Sequence, residues 1–350
     1  MNNNYVMINL ENHIIPLVDC RTLAVTNILR YDDIDFDSEE LFALSGGLDL
    51  WTLPTSPNSR IHYVFPRNMY AEIEFLQMLS YDLTIKNNVS NSDLIAHLHN
   101  GHKLIVDADR FYLPCFVEAF GAQHFGYHCM NIIGHDTSVS GDSLFYALEF
   151  LSKEHVHYAD DDLHNARFAE CAMHSPQGRT YIISGKPGID VDNSFIYKCL
   201  LETTTQKLDS ENGLLKNYQK VISTLEKAEL CIGQTLLEKY AKNQLRLLEA
   251  AIKETDPYCS AYRMAHAKGM KKIAEKCSNN NLWLCADEWE QIAYRWQESI
   301  AKKSLSVPLK DKYMFWKSFL LDVKDTEIGL LNKTSSIVRA ALSKTNCDAT

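Results

Sequence analysis

The sequence contains no closely spaced pair of cysteines, although ten cysteines are spread along its 350 residues. No two of them have the C-x-x-C spacing of zinc ribbons and thioredoxin-like redox motifs, and their density is far below that of a disulfide scaffold. We therefore expect reduced and mostly buried thiols. The sequence also has no run of about 18 apolar residues, so it predicts no transmembrane helix and no membrane partner.

Positive charge is scarce relative to negative charge. The chain has 35 Lys and Arg against 45 Asp and Glu, which gives a formal net charge of −10. This balance argues against a protein that binds nucleic acid by broad neutralisation of phosphates. The first residues, Met1–Tyr5, contain neither a basic segment nor a long apolar segment, so the sequence predicts no secretory signal and a cytoplasmic location.

Glycine and proline are nearly missing from the last 150 residues. Ten of the 14 glycines and seven of the nine prolines precede residue 200. This asymmetry predicts an α+β fold in which a turn-rich domain, residues 1–200, is followed by an all-helical domain, residues 201–350. Because 46% of the residues are hydrophobic, the chain has enough apolar material for a packed core.

Local patterns place several elements along the chain. Asp19 is suited to cap a helix over Cys20–Tyr31, and Ser38 could cap a second helix over Ser38–Leu44. Periodicity in the first domain predicts a helix over 91–100 and strands at 104–107, 127–134 and 180–184. From residue 193 onward the apolar residues recur at helical spacing, and they predict helices over 214–226, 229–255, 258–277, 282–302 and 311–342.

Cys20 is predicted to lie at the N-terminus of the first helix. The unpaired amides and the dipole of a helix stabilise negative charge there, so a cysteine in this place can have a lowered pKa and react as a thiolate. The same amides could hold a developing oxyanion. Free cysteine is also among the most buried residue types, so a packing role for Cys20 stays open at this point.

A thiol nucleophile needs a base, and His128 is the candidate. It begins an apolar strand, which would hold the imidazole at a fixed geometry, and a third group would orient the ring. Asp142 lies where a strand following 127–134 would end, and from there it would face His128 across a strand pair. Asp136 is the competing candidate. Taken singly, His128 could equally be a core histidine and Asp142 a turn residue.

Two groups of histidine and aspartate raise the question of a metal site. The spacing of His97, His99 and His102 fits no usual ligand set. The run Asp160–Asp162 is better explained as the acidic first turn of a helix. The sequence also has no G-x-G-x-x-G, G-x-S-x-G or H-E-x-x-H motif. We therefore expect neither a metal ion nor a cofactor.

The order of these features is more specific than any one of them. A cysteine-bearing helix, a Gly-Gly turn, an aspartate-bearing strand and a histidine-bearing strand follow one another. The segments that carry this order are Asp19–Leu29, Ser38–Leu48, Val106–Asp107, Tyr112–Pro114, Gly126–Asp136 and Leu163–Arg167. Together they resemble the N-terminal domain of the butirosin biosynthesis protein H family. Tyr262-Arg263 and the segment 289–296 are similar to the helical domain often fused to it.

The resemblance implies a papain-like cysteine enzyme that transfers an acyl group rather than cleaving peptides. By position, Cys20 would be the nucleophile, His128 the base and Asp142 the orienting acid. The family's donor is an acyl carrier protein thioester and its acceptor is an amine of an aminoglycoside. The resemblance therefore implies a carrier-protein or CoA-type thioester donor, a small-molecule amine acceptor and a role in natural-product biosynthesis.

The chain departs from the family pattern immediately before the cysteine. Asp19 stands where histidine is usual, and a carboxylate beside a thiol raises the pKa of that thiol. This effect matters less if Asp19 is engaged in capping the helix, so the hydrogen bonds of Asp19 bear directly on the chemistry of Cys20.

Two other functions are consistent with the same residues. A cysteine hydrolase or peptidase would use water in place of the amine. A non-catalytic interaction module would use Cys20 only for packing. The predicted helical domain, with tryptophans on its helices, could form a homodimer interface or close over the cleft.

Overall fold

The computed structural model describes residues 5–15, 17–55, 59–122, 124–137, 143–170, 174–209, 211–234, 237–254, 256–301 and 307–348. The strands are β1 (Tyr5–Met7), β2 (Leu48–Pro54), β3 (His62–Arg67), β4 (Asp82–Lys86), β5 (Lys103–Ala108), β6 (His128–Asp136), β7 (Leu144–Leu148), β8 (Val156–Ala159) and β9 (Thr180–Ser184). The helices are α1 (Cys20–Tyr31), α2 (Ser38–Leu44), α3 (Ala71–Met78), α4 (Asn91–His99), α5 (Asp160–Arg167), α6 (Asn193–Leu208), α7 (Leu214–Glu229), α8 (Glu238–Glu254), α9 (Arg263–Lys276), α10 (Asn280–Ala301) and α11 (Leu309–Asp348). The predicted α+β class, with strands in the first part and helices in the second, is confirmed.

The chain forms two compact units that interleave along the sequence. Unit 1 comprises Met1–Ser38 and Ile73–Asp190, and unit 2 comprises Glu39–Glu72 and Val191–Thr350. The longer segment of unit 2 begins at Val191, near the boundary that the distribution of glycine and proline suggested. Nothing in the sequence pattern indicated that the segment 39–72 joins it. The division into domains 1–200 and 201–350 stays a prediction.

Unit 1 is built on an antiparallel sheet. The strands follow the order β4-β9-β5-β6-β7-β8, and β1 also pairs with β6. Strand β6 is buried along its whole length, and α1 packs against β6 and β5. Nine of the twelve residues of α1 are buried, among them Val25, Ile28 and Leu29. This burial is the reason that the cysteine end of α1 has a fixed position on the sheet.

Unit 2 contains the hairpin β2-β3 and the long helices. Trp289, Trp296 and Trp316 are fully buried, so these three tryptophans are core residues of the unit, whereas Trp283 is 36% exposed. At the start of α9, the guanidinium of Arg263 makes two hydrogen bonds to the carboxylate of Glu327 on α11, at 2.8 and 2.9 Å. Both side chains are buried, so each charge is compensated by the other.

Two parts of unit 2 differ from the sequence-based expectation. The helix expected over 229–255 begins at Glu238, because Gly233 takes a positive φ of 83° that is outside the α-helical region. The hairpin β2-β3 was not predicted. Its strand β3 contains Pro66 and is only six residues long, so β3 lacks the long apolar alternation that signals a strand in sequence.

Candidate active site

Cys20 is the first residue of α1, and Asp19 caps the helix with extended backbone geometry. The Oδ1 atom of Asp19 accepts the backbone N–H groups of Arg21 and Thr22 and the hydroxyl of Thr22, each at 2.9 Å. Asp19 is therefore engaged in capping the helix. The backbone N–H of Cys20 has no acceptor among the described residues. Of the amides expected to hold an oxyanion, this one is left available.

Polar anchors fix the cysteine end of α1 on the sheet. The guanidinium of Arg21, next to Cys20, donates to Asp107 of β5 at 3.0 Å and to the Tyr181 hydroxyl at 3.2 Å. Nearly two turns further along α1, the amide of Asn27 donates to the side-chain oxygen of Asn131 on β6 at 3.1 Å. All of these groups are buried. Such paired buried groups hold a side chain in one position, as a reacting thiol requires.

His128 is the first residue of β6, and its side chain is fully buried. Its Nε2 atom lies 2.9 Å from Oε2 and 3.1 Å from Oε1 of Glu149. The hydroxyl of Tyr158 donates to the same carboxylate at 2.8 Å. Glu149 is 1% exposed, so water does not solvate its carboxylate. The contacts with His128 and Tyr158 compensate its negative charge instead. A carboxylate on Nε2 fixes the ring and leaves Nδ1 as the nitrogen that can serve a thiol.

Cys20 and His128 interact, and each changes the pKa of the other. A hydrogen bond with Cys129 is the largest cause that lowers the pKa of Cys20; burial opposes it, while hydrogen bonding to His128 and the charges of His128 and Arg110 reinforce it. Together they hold the pKa of the Cys20 thiol well below its ordinary value. Burial lowers the pKa of His128, but the carboxylate of Glu149 and the hydrogen bond with Cys20 outweigh burial and raise it. The arrangement favours a thiolate beside an imidazolium.

Cys129 is a second thiol at the site. It follows His128 on β6, is 1% exposed and lies opposite Asp107 in the strand pairing. Burial and the interaction with Cys20 raise the pKa of Cys129 well above its ordinary value. The raised pKa favours the thiol form of Cys129, and Cys129 acts on the pKa of Cys20 as a hydrogen-bond donor would. Its role was not predicted, although its place beside His128 on a buried strand is visible in the sequence.

Glu149, a carboxylate that the sequence reasoning missed, lies on His128. Asp142 lies outside the described residues. Asp136 is at the far end of β6, where it pairs with Leu144, and the Tyr146 hydroxyl lies 3.4 Å from its carboxylate. Because β6 and β7 are antiparallel, β7 runs back toward His128, and Glu149 follows its last residue. A carboxylate directly after a buried apolar strand was the signal that could have found Glu149.

The groups considered for a metal site do not converge. His97 and His102 face each other with 3.0 Å between their Nδ1 atoms, but Asp107 is bound by Arg21. Within the part of the chain that the structure describes, no three His, Cys, Asp or Glu side chains are placed to hold a metal ion. No helix in those same ranges combines the length and apolar character that crossing a membrane requires.

The site thus brings together a thiol, an imidazole and a carboxylate on an α+β scaffold, which is the constellation of a cysteine enzyme. Residues 19–140 match the model of the family described as butirosin biosynthesis protein H, N-terminal. The resemblance inferred from the sequence is confirmed over this segment, which contains Cys20 and His128. Among solved structures, the chain is similar to a C39-like peptidase from Bacillus anthracis, with 12% identity and a TM-score of 0.36, over 52% of this chain and 98% of that chain. No curated protein matches the chain.

Proposed function

We propose that this protein is a cysteine-dependent acyltransferase. It takes an acyl group from a carrier-protein or CoA-type thioester as an acyl-Cys20 intermediate and passes that group to an amine of a small molecule. The observation that carries the proposal is the buried imidazole of His128, which Glu149 holds at Nε2 and which lowers the pKa of Cys20. The family match over 19–140 supports acyl transfer in natural-product biosynthesis.

In the first half-reaction the Cys20 thiolate attacks the thioester carbonyl carbon. The carbonyl oxygen becomes an oxyanion, toward which the free N–H of Cys20 can donate. The bond between this carbon and the donor sulfur then breaks. The leaving thiolate takes the proton of the His128 imidazolium, and acyl-Cys20 remains. Exchange of one thioester for another is nearly balanced in free energy, so a thioester donor suits a cysteine nucleophile.

In the second half-reaction the acceptor amine attacks acyl-Cys20. The neutral His128 accepts the proton that the amine loses, and the Cys20 thiolate leaves as the amide forms. Glu149 stabilises the imidazolium that results, because its carboxylate lies on Nε2. Amide formation drives this half-reaction forward. The orienting role that the sequence assigned to Asp142 belongs to Glu149 in this proposal.

The remaining expectations complete the proposal. The enzyme acts in the cytoplasm with a thioester donor and a small-molecule amine, and it needs no nucleic acid or membrane. The helices of unit 2 are proposed to carry the surface at which a homodimer forms.

Acceptor-dependent turnover tests this function. The purified chain is incubated with an acyl thioester, with and without a panel of small-molecule amines, and free thiol, free acid and amide are each quantified. Transfer predicts amide formation that depends on the amine and disappears in Cys20→Ala. Steady release of free acid at the same rate without an amine would identify a hydrolase instead. No thiol release from any donor would favour the interaction module.

A further inference from the structure

Arg110 is a cationic side chain without an anionic partner beside the candidate active site. It begins a short 3₁₀ helix, Arg110–Tyr112, directly beyond β5. Its side chain makes no hydrogen bond or ion pair with any described residue, and its Nε atom is buried. A buried polar atom without a partner costs free energy, so this position needs an explanation beyond folding.

Three phenylalanine rings hold the guanidinium in place. The Cζ atom of Arg110 lies 4.7 Å from the ring centre of Phe125, 4.9 Å from that of Phe116 and 5.0 Å from that of Phe150. Cation–π contacts position a charge without neutralising it. The guanidinium is therefore fixed while its positive charge stays available to a ligand.

The neighbouring acid does not neutralise this charge. Asp109 directs its carboxylate elsewhere: Oδ1 accepts the backbone N–H groups of Phe111 and Phe125, and Oδ2 lies 2.7 Å from Nδ1 of His124. These bonds fix the loop that carries Arg110. The carboxylate of Asp109 thus holds the loop in shape and does not bind the guanidinium of Arg110.

The cage of Arg110 is shared with the base of the active site. Phe116 packs edge-on against the imidazole of His128 with 4.9 Å between ring centres, and Phe150 does so at 5.9 Å. The guanidinium and the imidazole lie against the same Phe116 ring. The distance between them is therefore at most the sum of their two distances to the centre of that ring. The charge of Arg110 also reaches Cys20, where it contributes to the lowered pKa.

We infer that Arg110 binds an oxyanion of the acyl donor, either a carboxylate on the acyl group or a phosphate on the donor's thiol arm. This inference rests on the proposed function. A guanidinium presents a planar fork of N–H donors that matches carboxylate and phosphate oxygens, and apolar walls strengthen such a pair. The nearness to His128 favours the carboxylate, because the phosphate of a pantetheine arm lies at the far end of that arm from the reacting sulfur.

The first test uses the thiol alone, without turnover. Iodoacetate and iodoacetamide alkylate the same sulfur, but only iodoacetate carries a carboxylate. Carboxymethylation and carbamidomethylation of Cys20 are measured by peptide mass spectrometry at a pH where the thiol is fully ionised. Arg110→Met is expected to lower the ratio of the two rates by about tenfold, the loss of one charge-assisted hydrogen bond. Arg110→Lys, which keeps the charge but not the fork, is expected to fall between.

The control for charge alone is Arg60→Met, which removes an exposed guanidinium. It should leave the ratio unchanged. The iodoacetamide rate in each variant reports whether the site is intact, so a misfolded variant is recognised by loss of both reactions. If Arg110→Met with a preserved iodoacetamide rate keeps the wild-type ratio, Arg110 does not bind oxyanions and the inference is overturned.

The second test separates the two sources of the oxyanion. Succinyl and butyryl thioesters of N-acetylcysteamine differ by a carboxylate on the acyl group, and butyryl-pantetheine and butyryl-phosphopantetheine differ by a phosphate. A preference for one member of a pair that Arg110→Met abolishes identifies the source. Equal effects of Arg110→Met on all four donors would contradict the inference while leaving the acyltransferase proposal intact. If no donor acylates Cys20, the proposed function fails, and the alkylation ratio still decides the role of Arg110.

Discussion

Glu149 holds the imidazole of His128 through Nε2 at 2.9 Å, at a fully buried site. This contact leaves Nδ1, a buried atom without a hydrogen-bond partner among the described residues, as the nitrogen that can serve the thiol. It also raises the pKa of the base against the effect of burial. Glu149→Gln keeps the shape of the side chain but removes its charge. We expect acyl transfer to fall by roughly 10²- to 10⁴-fold, because the imidazolium loses its stabilising carboxylate. The rate constant of the acylation half-reaction measures this.

The matched control is Glu118→Gln, which alters an exposed glutamate in the same unit. It should leave the acylation rate unchanged. An unchanged rate in Glu149→Gln itself would contradict the orienting role of Glu149, and an Asp142→Asn variant with the larger loss would return that role to Asp142.

The pH dependence of thiol reactivity follows from the opposite pKa shifts of Cys20 and His128. The lowered pKa of Cys20 keeps the thiolate present at pH values where an ordinary cysteine is protonated, and it is lost only as the pH falls through that lowered value. The raised pKa of His128 keeps the imidazolium to higher pH, and the ion pair is lost as the pH rises through it. Iodoacetamide labelling of Cys20 should therefore proceed well below about pH 8.5, which is the ordinary pKa of a cysteine thiol.

His128→Asn is the matched change for this profile. It removes the positive charge, so the alkylation midpoint of Cys20 should move to higher pH while the other cysteines keep theirs. A wild-type midpoint at the ordinary cysteine value, or a midpoint that is the same in both proteins, would show that the two side chains are not coupled.

Cys129 makes the largest contribution to the lowered pKa of Cys20. Cys129→Ala removes the S–H donor, and we expect it to raise the alkylation midpoint of Cys20 by about one pH unit. Cys129→Ser retains a donor on a similar side chain and should raise the midpoint less. If Ala and Ser shift the midpoint equally, the cause is a change of packing rather than loss of the hydrogen bond.

Asp19 satisfies the first turn of α1 with three hydrogen bonds. Asp19→Ala should lower the free energy of unfolding by about 1 kcal/mol, the usual effect of losing an N-cap. Asp19→Asn keeps an accepting oxygen and should lower it by less. Urea denaturation of the two variants and the wild type gives these values. Equal losses in Ala and Asn would mean that the charge of Asp19, not its capping bonds, supports the helix.

The local elements were predictable from sequence to different degrees. Helix α1 and strand β9 have the predicted bounds, and His128 lies at the start of its strand as expected, because a cap residue and apolar runs are local signals. The partner of His128 was not predictable in the same way. It depends on the direction of β7 relative to β6 and on the irregular register between Ile132 and Gly134, both of which are set by long-range pairing.

The interleaving of the two units has a similar cause. The segment 39–72 lies early in the sequence, yet its groups are satisfied by residues much later in the chain. The carboxylate of Asp49, for example, accepts a hydrogen bond from the ammonium group of Lys207 at 2.6 Å and another from the side-chain amide of Asn217 at 2.9 Å. Such pairs carry no local pattern. A division of the chain by composition follows sequence order, whereas the units follow these distant contacts.

Intact-protein mass spectrometry after brief incubation with an acyl thioester detects the acyl-Cys20 intermediate itself. We expect that the wild-type protein gains the mass of one acyl group, that peptide mapping places the group on Cys20, and that Cys20→Ala gains none. The added mass should disappear when an acceptor amine is supplied. Equal labelling of the wild type and Cys20→Ala, or no labelling of either, would contradict an acyl-Cys20 intermediate.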